Sequence, residues 1–239
     1  MKRFVVLGLP RSGTTYLVKL LNSHSQVFCS GEQFNPHAIV HTDHTDQDYT
    51  AFLNRDKAPL AFVDHFFAQA AKTRVACAGF KFMIGHNIDV LKQFEHDPDL
   101  VFIHLWRENK LAQISSLLKA RDSLKWAQTK HDPHINAKIR AKPKDISEKM
   151  HEYATYDHLI ALWLQNLPNQ NISVEYKDLF QPHFIARICG FLGVAPEKTM
   201  KSPLVKQSDN KIANRFVHPE PILYYFTQIG KAHWLTEEL

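Results

Sequence analysis

Cysteine, glycine and long apolar runs are scarce in this 239-residue chain. Its three cysteines, Cys29, Cys77 and Cys189, are odd in number and far apart. That excludes a disulfide framework and predicts buried free thiols in a reducing compartment. Eight glycines leave no room for a collagen-like repeat. No stretch approaches the ~18 apolar residues that a membrane span needs. Phe4–Leu7, after Met1-Lys2-Arg3, is too short for the ~7–15-residue apolar core of a signal peptide. A cytoplasmic protein is the expectation. With 44% hydrophobic and 22% charged residues the composition is that of a globular protein, and the length suits one α/β domain over residues 1–239.

The 29 Lys and Arg exceed the 24 Asp and Glu by five, which favours an anionic partner. Nucleic acid, a phosphorylated cofactor and an acidic membrane surface are all open at this level. The excess is local. Residues 119–149 hold nine Lys or Arg against four acids, with Pro133 and Pro143, and read as a basic, mainly helical insertion that would act as an acceptor-side lid.

Short apolar runs alternate with helical periods along the chain. Strands are predicted at Phe4–Leu7, Val27–Cys29, Val75–Met83, Leu100–Trp106 and Ile172–Tyr176. Helices are predicted at Thr14–Leu21, Phe62–Ala71, Ile88–Phe94, Leu111–Leu118, Tyr153–Leu167 and Phe184–Leu192. Residues 37–50, polar and rich in His, Asp and Thr, read as loop. The stretch from Pro196 has no dominant period and is expected to wrap back over the sheet. The alternation predicts a P-loop-type, three-layer α/β/α fold on a central parallel sheet.

The sharpest signal is Gly8-Leu9-Pro10-Arg11-Ser12-Gly13-Thr14-Thr15, between the first strand and the first helix. Backbone N–H groups and the positive end of a helix dipole converge there, as in a phosphate-binding loop. The glycine spacing is that of GxxxxGK[ST], but Thr14 stands where a P-loop has lysine, and the cation is Arg11. The strand Leu100–Trp106 ends in Arg107, where a nucleoside triphosphatase needs a magnesium-binding Asp. A cation there argues for a second bound phosphate.

PRSGTTYL after an apolar strand resembles the 5′-phosphosulfate loop of sulfotransferases that use 3′-phosphoadenylyl sulfate (PAPS). The family's second element, an Arg and a Ser eight residues apart across a strand-to-helix junction, is matched by Arg107 and Ser115. GEQFNP at 31–36, GFKF at 79–82, VEYKDL at 174–179, FLGV at 191–194 and LVKQ at 204–207 extend the likeness. Together they are most similar to the bacterial NodH-type and trehalose-type carbohydrate sulfotransferases.

The resemblance implies roles for particular residues. Pro10, Arg11, Ser12, Gly13, Thr14 and Thr15 would hold the 5′-phosphate, with Arg11 stabilising the leaving adenosine 3′,5′-bisphosphate (PAP). Arg107 and Ser115 would hold the 3′-phosphate, covered by Lys206. Glu32 would be the base that activates the acceptor hydroxyl. Animal cytosolic relatives place a His two residues after a Lys on the third strand, but here Met83 holds that place, leaving His86 as the alternative base. Lys81, in an otherwise apolar strand, would contact the transferring sulfuryl group. PAPS is then the donor, a hydroxyl of a carbohydrate or glycolipid the acceptor, and no metal is needed. A homodimer is left open.

Three other readings compete. A P-loop kinase or nucleoside triphosphatase lacks its Lys and its magnesium Asp. A polyanion-binding module fits the charge, but no nucleic-acid-binding motif is present. His37, His41 and His44 cluster without the spacing of a zinc site. Trp106 and Trp126 read as core or acceptor-pocket walls.

Overall fold

The computed structural model describes residues 1–123, 126, 138–205 and 209–236. Five strands form one parallel sheet: β1 (Lys2–Gly8), β2 (Val27–Glu32), β5 (Cys77–Met83), β6 (Leu100–Trp106) and β7 (Asn171–Glu175). Their order is β2-β5-β1-β6-β7, with β1 at the centre. A two-residue hairpin, β3 (Ile39–Val40) with β4 (Thr45–Asp46), lies beside β2.

Alternating side chains of these strands feed two cores. On one face Phe4, Val6, Val101, Ile103 and Leu105 pack against α1 (Thr14–Asn22) and α7 (Phe184–Leu192). On the other Val5, Leu7, Phe80, Phe82 and Phe102 pack against α3 (Pro59–Lys72), α4 (Ile88–Glu95) and α6 (Pro143–Gln165). This is the three-layer α/β/α arrangement, and near-continuous apolar strands are what a sheet covered on both faces requires. All three cysteines are buried free thiols.

The chain leaves β1 toward β2 on one side and later crosses β1 to reach β6 on the other. The strand order therefore reverses between β1 and β6, and the carboxyl edge at such a switch point is where doubly wound sheets bind ligands.

Several elements differ from the sequence expectation. Strand β2 runs on through Ser30-Gly31 to Glu32, with a register shift against β5 between Ser30 and Glu32. Residues 37–50 hold the hairpin and lead into α2 (Tyr49–Lys57), whose Asp48 cap accepts from the Thr50 N–H at 3.3 Å. Tyr176 closes β7 by opening a short 3₁₀ turn, Tyr176–Phe180. The 119–149 segment is not wholly an insertion: its first residues continue α5 (Lys110–Ser123), and α6 begins at Pro143, a proline at the first helical position. Residues 124–125 and 127–137 lie outside the described residues. The carboxyl-terminal stretch starts on the sheet's first core, where Met200 is buried beside Cys189, and then leaves it. Through Ile212, Phe216, α8 (Pro219–Gln228) and α9 (His233–Thr236) it packs on α5 and α6 as a third apolar cluster, and Ile139 bridges to Phe216.

Candidate functional site

The loop 8–15 joins β1 to α1 at this switch point. Gly8 is fixed by close approach, since a Cβ there would stand 2.6 Å from the Leu105 carbonyl on β6. Arg11 (φ 65°) and Gly13 (φ 101°) both take left-handed backbone, which folds the loop back on itself. Ser12 is fully buried and closes the turn by donating from Oγ to the Leu9 carbonyl at 2.9 Å. Gly13 precedes the first turn of α1, which carries no acidic side chain. The free amides of that turn, beside the Thr15 hydroxyl, are the groups that could hold an anion here.

Arg11 donates from Nε to Ser116 Oγ at 2.9 Å and from Nη1 to the Trp126 carbonyl. Among the described residues no carboxylate pairs with it. Burial first, and then Arg107, hold its guanidinium below the ordinary value, with Tyr176 partly offsetting them. Arg107, at the end of β6, donates to the Arg11 carbonyl at 2.9 Å and stacks on the Tyr176 ring, 4.2 Å from its centroid. The same ring roofs Gly13, where a Cβ would meet Tyr176 Cδ2 at 2.7 Å. Two guanidinium groups thus meet over one loop, an arrangement that invites an anion of more than one charge.

The second cluster hangs from β2 and β5. Their parallel register sets Glu32 opposite Lys81. The Lys81 ammonium lies 2.7 Å from Glu32 Oε1 and donates to Thr15 Oγ1 at 3.3 Å, so it links the carboxylate to the loop. Asn35 Nδ2 donates to Glu32 Oε2 at 2.6 Å. Burial pushes the Glu32 carboxyl up, but the Lys81 charge and the hydrogen bonds from Lys81 and Asn35 outweigh it and hold the group below its ordinary value. It is ionised at neutral pH.

His86 Nε2 lies 3.8 Å from Glu32 Oε2. Its Nδ1 accepts from the Met83 N–H at 3.2 Å, which leaves the proton of the neutral ring on Nε2, facing the carboxylate. Burial, followed by Lys81 and Arg55, lowers this imidazole to about 4, against the pull of Glu32. With Nδ1 taken by the Met83 N–H and the Nε2 proton facing Glu32, neither nitrogen of the neutral ring presents an unengaged lone pair in this arrangement.

The structure therefore brings together Glu32, Lys81 and Thr15, and separately Arg11 and Arg107 around the loop. Ser115 is fully buried on α5; it donates to the Ala112 carbonyl at 3.0 Å and accepts from Arg215 Nη1 at 2.9 Å. Lys206 lies outside the described residues. His41 and His44 stack at 4.4 Å, and among the described residues no group of three or more His, Cys, Asp or Glu is arranged to hold a metal ion. Trp126 is half exposed and so is not core.

Sequence reasoning missed Tyr176, Arg215 and Arg55. Arg55 is buried on α2 and donates from Nη1 to the carbonyls of Gln33 at 3.1 Å and Asn35 at 2.9 Å, pinning the segment after Glu32. Nothing local in the polar run 49–57 signals that role; only the tertiary approach of α2 to the end of β2 creates it.

A strand-to-helix loop at the switch point of a parallel sheet, flanked by cations and a carboxylate, has the chemistry to hold an anionic group-transfer donor. The sequence profile of the sulfotransferase family matches residues 3–198, and the chain belongs to that family. Nodulation protein H of Rhizobium tropici is 25% identical over 215 residues, covering 87% of this chain and 82% of that protein. Nodulation protein H of Rhizobium meliloti (strain 1021) is 28% identical over 130 residues, 54% of this chain and 51% of that one. Among solved structures, a sulfotransferase from Alicyclobacillus acidocaldarius superposes with a TM-score of 0.49 at 12% identity, covering 99% of this chain and 96% of its own. The chain is a sulfotransferase, related to the NodH proteins. No helix among the described residues is long and apolar enough to cross a membrane.

Proposed function

We propose that the chain transfers a sulfuryl group from PAPS to a hydroxyl of a carbohydrate or glycolipid acceptor. The observation that carries the reading is the contact of Lys81 with both Glu32, at 2.7 Å, and Thr15, at 3.3 Å. It joins a candidate base to the loop that would hold the donor.

In the step proposed, the acceptor oxygen attacks sulfur in line with the bridging oxygen. The bond from sulfur to that oxygen breaks, its electron pair leaves with PAP, and the hydroxyl proton passes to Glu32. Pro10 shapes the loop, Ser12 to Thr15 hold the 5′-phosphate, and Arg11 neutralises charge on the departing oxygen. Arg107 and Ser115 hold the 3′-phosphate, Ser115 together with Arg215, and Lys206 closes over it. Lys81 swings from Glu32 to the sulfuryl oxygens and frees a carboxylate oxygen for the proton. A sulfuryl group bears less charge than a phosphoryl group, so protein cations suffice. The residues 119–149 would border the acceptor.

Incubation with labelled PAPS and a panel of glycans and glycolipids tests the reading. Label transfer that is lost in Arg11→Ala is expected. Absence of PAP binding to the wild-type protein, with magnesium-dependent ATP binding instead, would overturn it.

A further inference from the structure

The turn that carries Arg107 rests on a buried ion pair that the transfer reaction does not use. Lys110, 5% exposed, opens α5, and its ammonium lies 2.5 Å from Asp157 Oδ2 on α6. The same ammonium donates to the Arg107 carbonyl and lies over the Trp106 ring, 5.9 Å from its centroid. Asp157 is 8% exposed; its other oxygen, Oδ1, has no hydrogen-bond partner and faces His104 Nε2 at 3.9 Å, both of whose ring nitrogens are likewise without partners. Burying two charges and leaving one carboxylate oxygen unsatisfied is a poor way to stabilise a core; an apolar pair of similar size does better. Among the described residues, the hydrogen bond of Lys110 outside the pair goes to the backbone of Arg107.

That grip has a geometric consequence. Arg107 must send its guanidinium back over the loop to the Arg11 carbonyl and the Tyr176 ring while its own carbonyl points the other way. Asn109 caps α5 by accepting from the Ala112 N–H at 2.9 Å, so the Arg107 carbonyl lies before the helix and outside its hydrogen-bond ladder. Lys110 supplies the missing donor, and Asp157 holds Lys110 in place from α6.

We infer that Lys110 and Asp157 are positioning residues that set Arg107 for the 3′-phosphate of the donor. This rests on the reading of Arg107 given above. The pair acts on one phosphate of two, so its removal weakens PAP far more than adenosine 5′-monophosphate, which lacks the 3′-phosphate. A merely structural pair would weaken both alike.

The test uses the full chain with Asp157→Asn, with the apolar double replacement Lys110→Met/Asp157→Leu, which keeps the core filled, and with Arg107→Ala. Binding of PAP and of adenosine 5′-monophosphate is measured by titration calorimetry, with thermal unfolding alongside. The expected result is a loss of about tenfold or more in PAP affinity, little change for the monophosphate, and a melting temperature of the double variant at or above wild type. If Arg107→Ala abolishes the preference for PAP but the double variant keeps it, the positioning role is wrong. If Arg107→Ala keeps the preference too, the donor-site reading itself fails and the inference with it.

Discussion

Glu32 and Lys81 face one another across neighbouring parallel strands, carboxylate to ammonium at 2.7 Å, within reach of Thr15 in the loop after β1. The ammonium holds the carboxylate ionised in spite of its burial, and the carboxylate is the ion-pair partner of a lysine that is only 6% exposed. An anion arriving at the loop would compete with Glu32 for the lysine.

Glu32→Gln preserves shape and the contact with Asn35 but cannot take a proton. Steady-state kinetics with a working acceptor are expected to show kcat reduced by about 10²–10⁴-fold, with PAP affinity unchanged. An unaltered kcat would remove Glu32 from the reaction.

Lys81→Met removes the charge that lowers the Glu32 carboxyl and, on the proposed reading, one contact to the transferring group. We expect kcat to fall by about 10²-fold and the acid limb of the pH–rate profile to move to higher pH, because the carboxyl loses its main stabilising charge. A slower enzyme whose acid limb stays put would mean that Lys81 does not govern Glu32.

The His86 imidazole titrates at about 4 in the folded chain, against 6.5 for an ordinary histidine. The unfolded chain therefore binds the proton first. The stability contributed by a neutral His86 is fully present above pH 6.5 and drains away as pH falls toward 4, by roughly 3 kcal/mol. Chemical denaturation across that window is expected to show a shallower loss in His86→Gln than in wild type. Parallel curves for the two proteins would refute the assignment.

Gly13→Ala meets both a left-handed backbone and the Tyr176 ring. A destabilisation of about 1–3 kcal/mol is expected from thermal unfolding, together with weaker PAP binding. Wild-type stability in this variant would mean that the loop and ring adjust freely.

The central strands of the sheet, β1, β5 and β6, were legible because each is a mostly apolar run bounded by turn residues. Leu100–Trp106 is the clearest case, apolar on both faces apart from His104. The loop 8–15 and Arg107 were legible because their chemistry sits at strand-to-helix junctions. What escaped had tertiary causes. Helix α2 is too polar to show a face, and it is held by Arg55 reaching carbonyls some twenty residues back. The start of α6 hid behind Pro143, which punctuates a sequence but here opens a helix. Tyr176 and Arg215 touch the site only because β7 and the carboxyl-terminal stretch are packed against it, which no local pattern encodes.

The strand order gives the site a fixed gauge. Glu32 ends β2 and Arg107 follows β6, three strand intervals apart, so the sheet spaces their backbones by about 14 Å at its carboxyl edge. Side chains can swing, but hydrogen-bonded strands cannot slide apart. A donor anchored at Arg107 would have to reach across this gauge to bring its transferable group beside Lys81 and Glu32, and a shorter one would fall short. Molecular length would then be measured by the backbone ladder, before any side chain reads chemical identity.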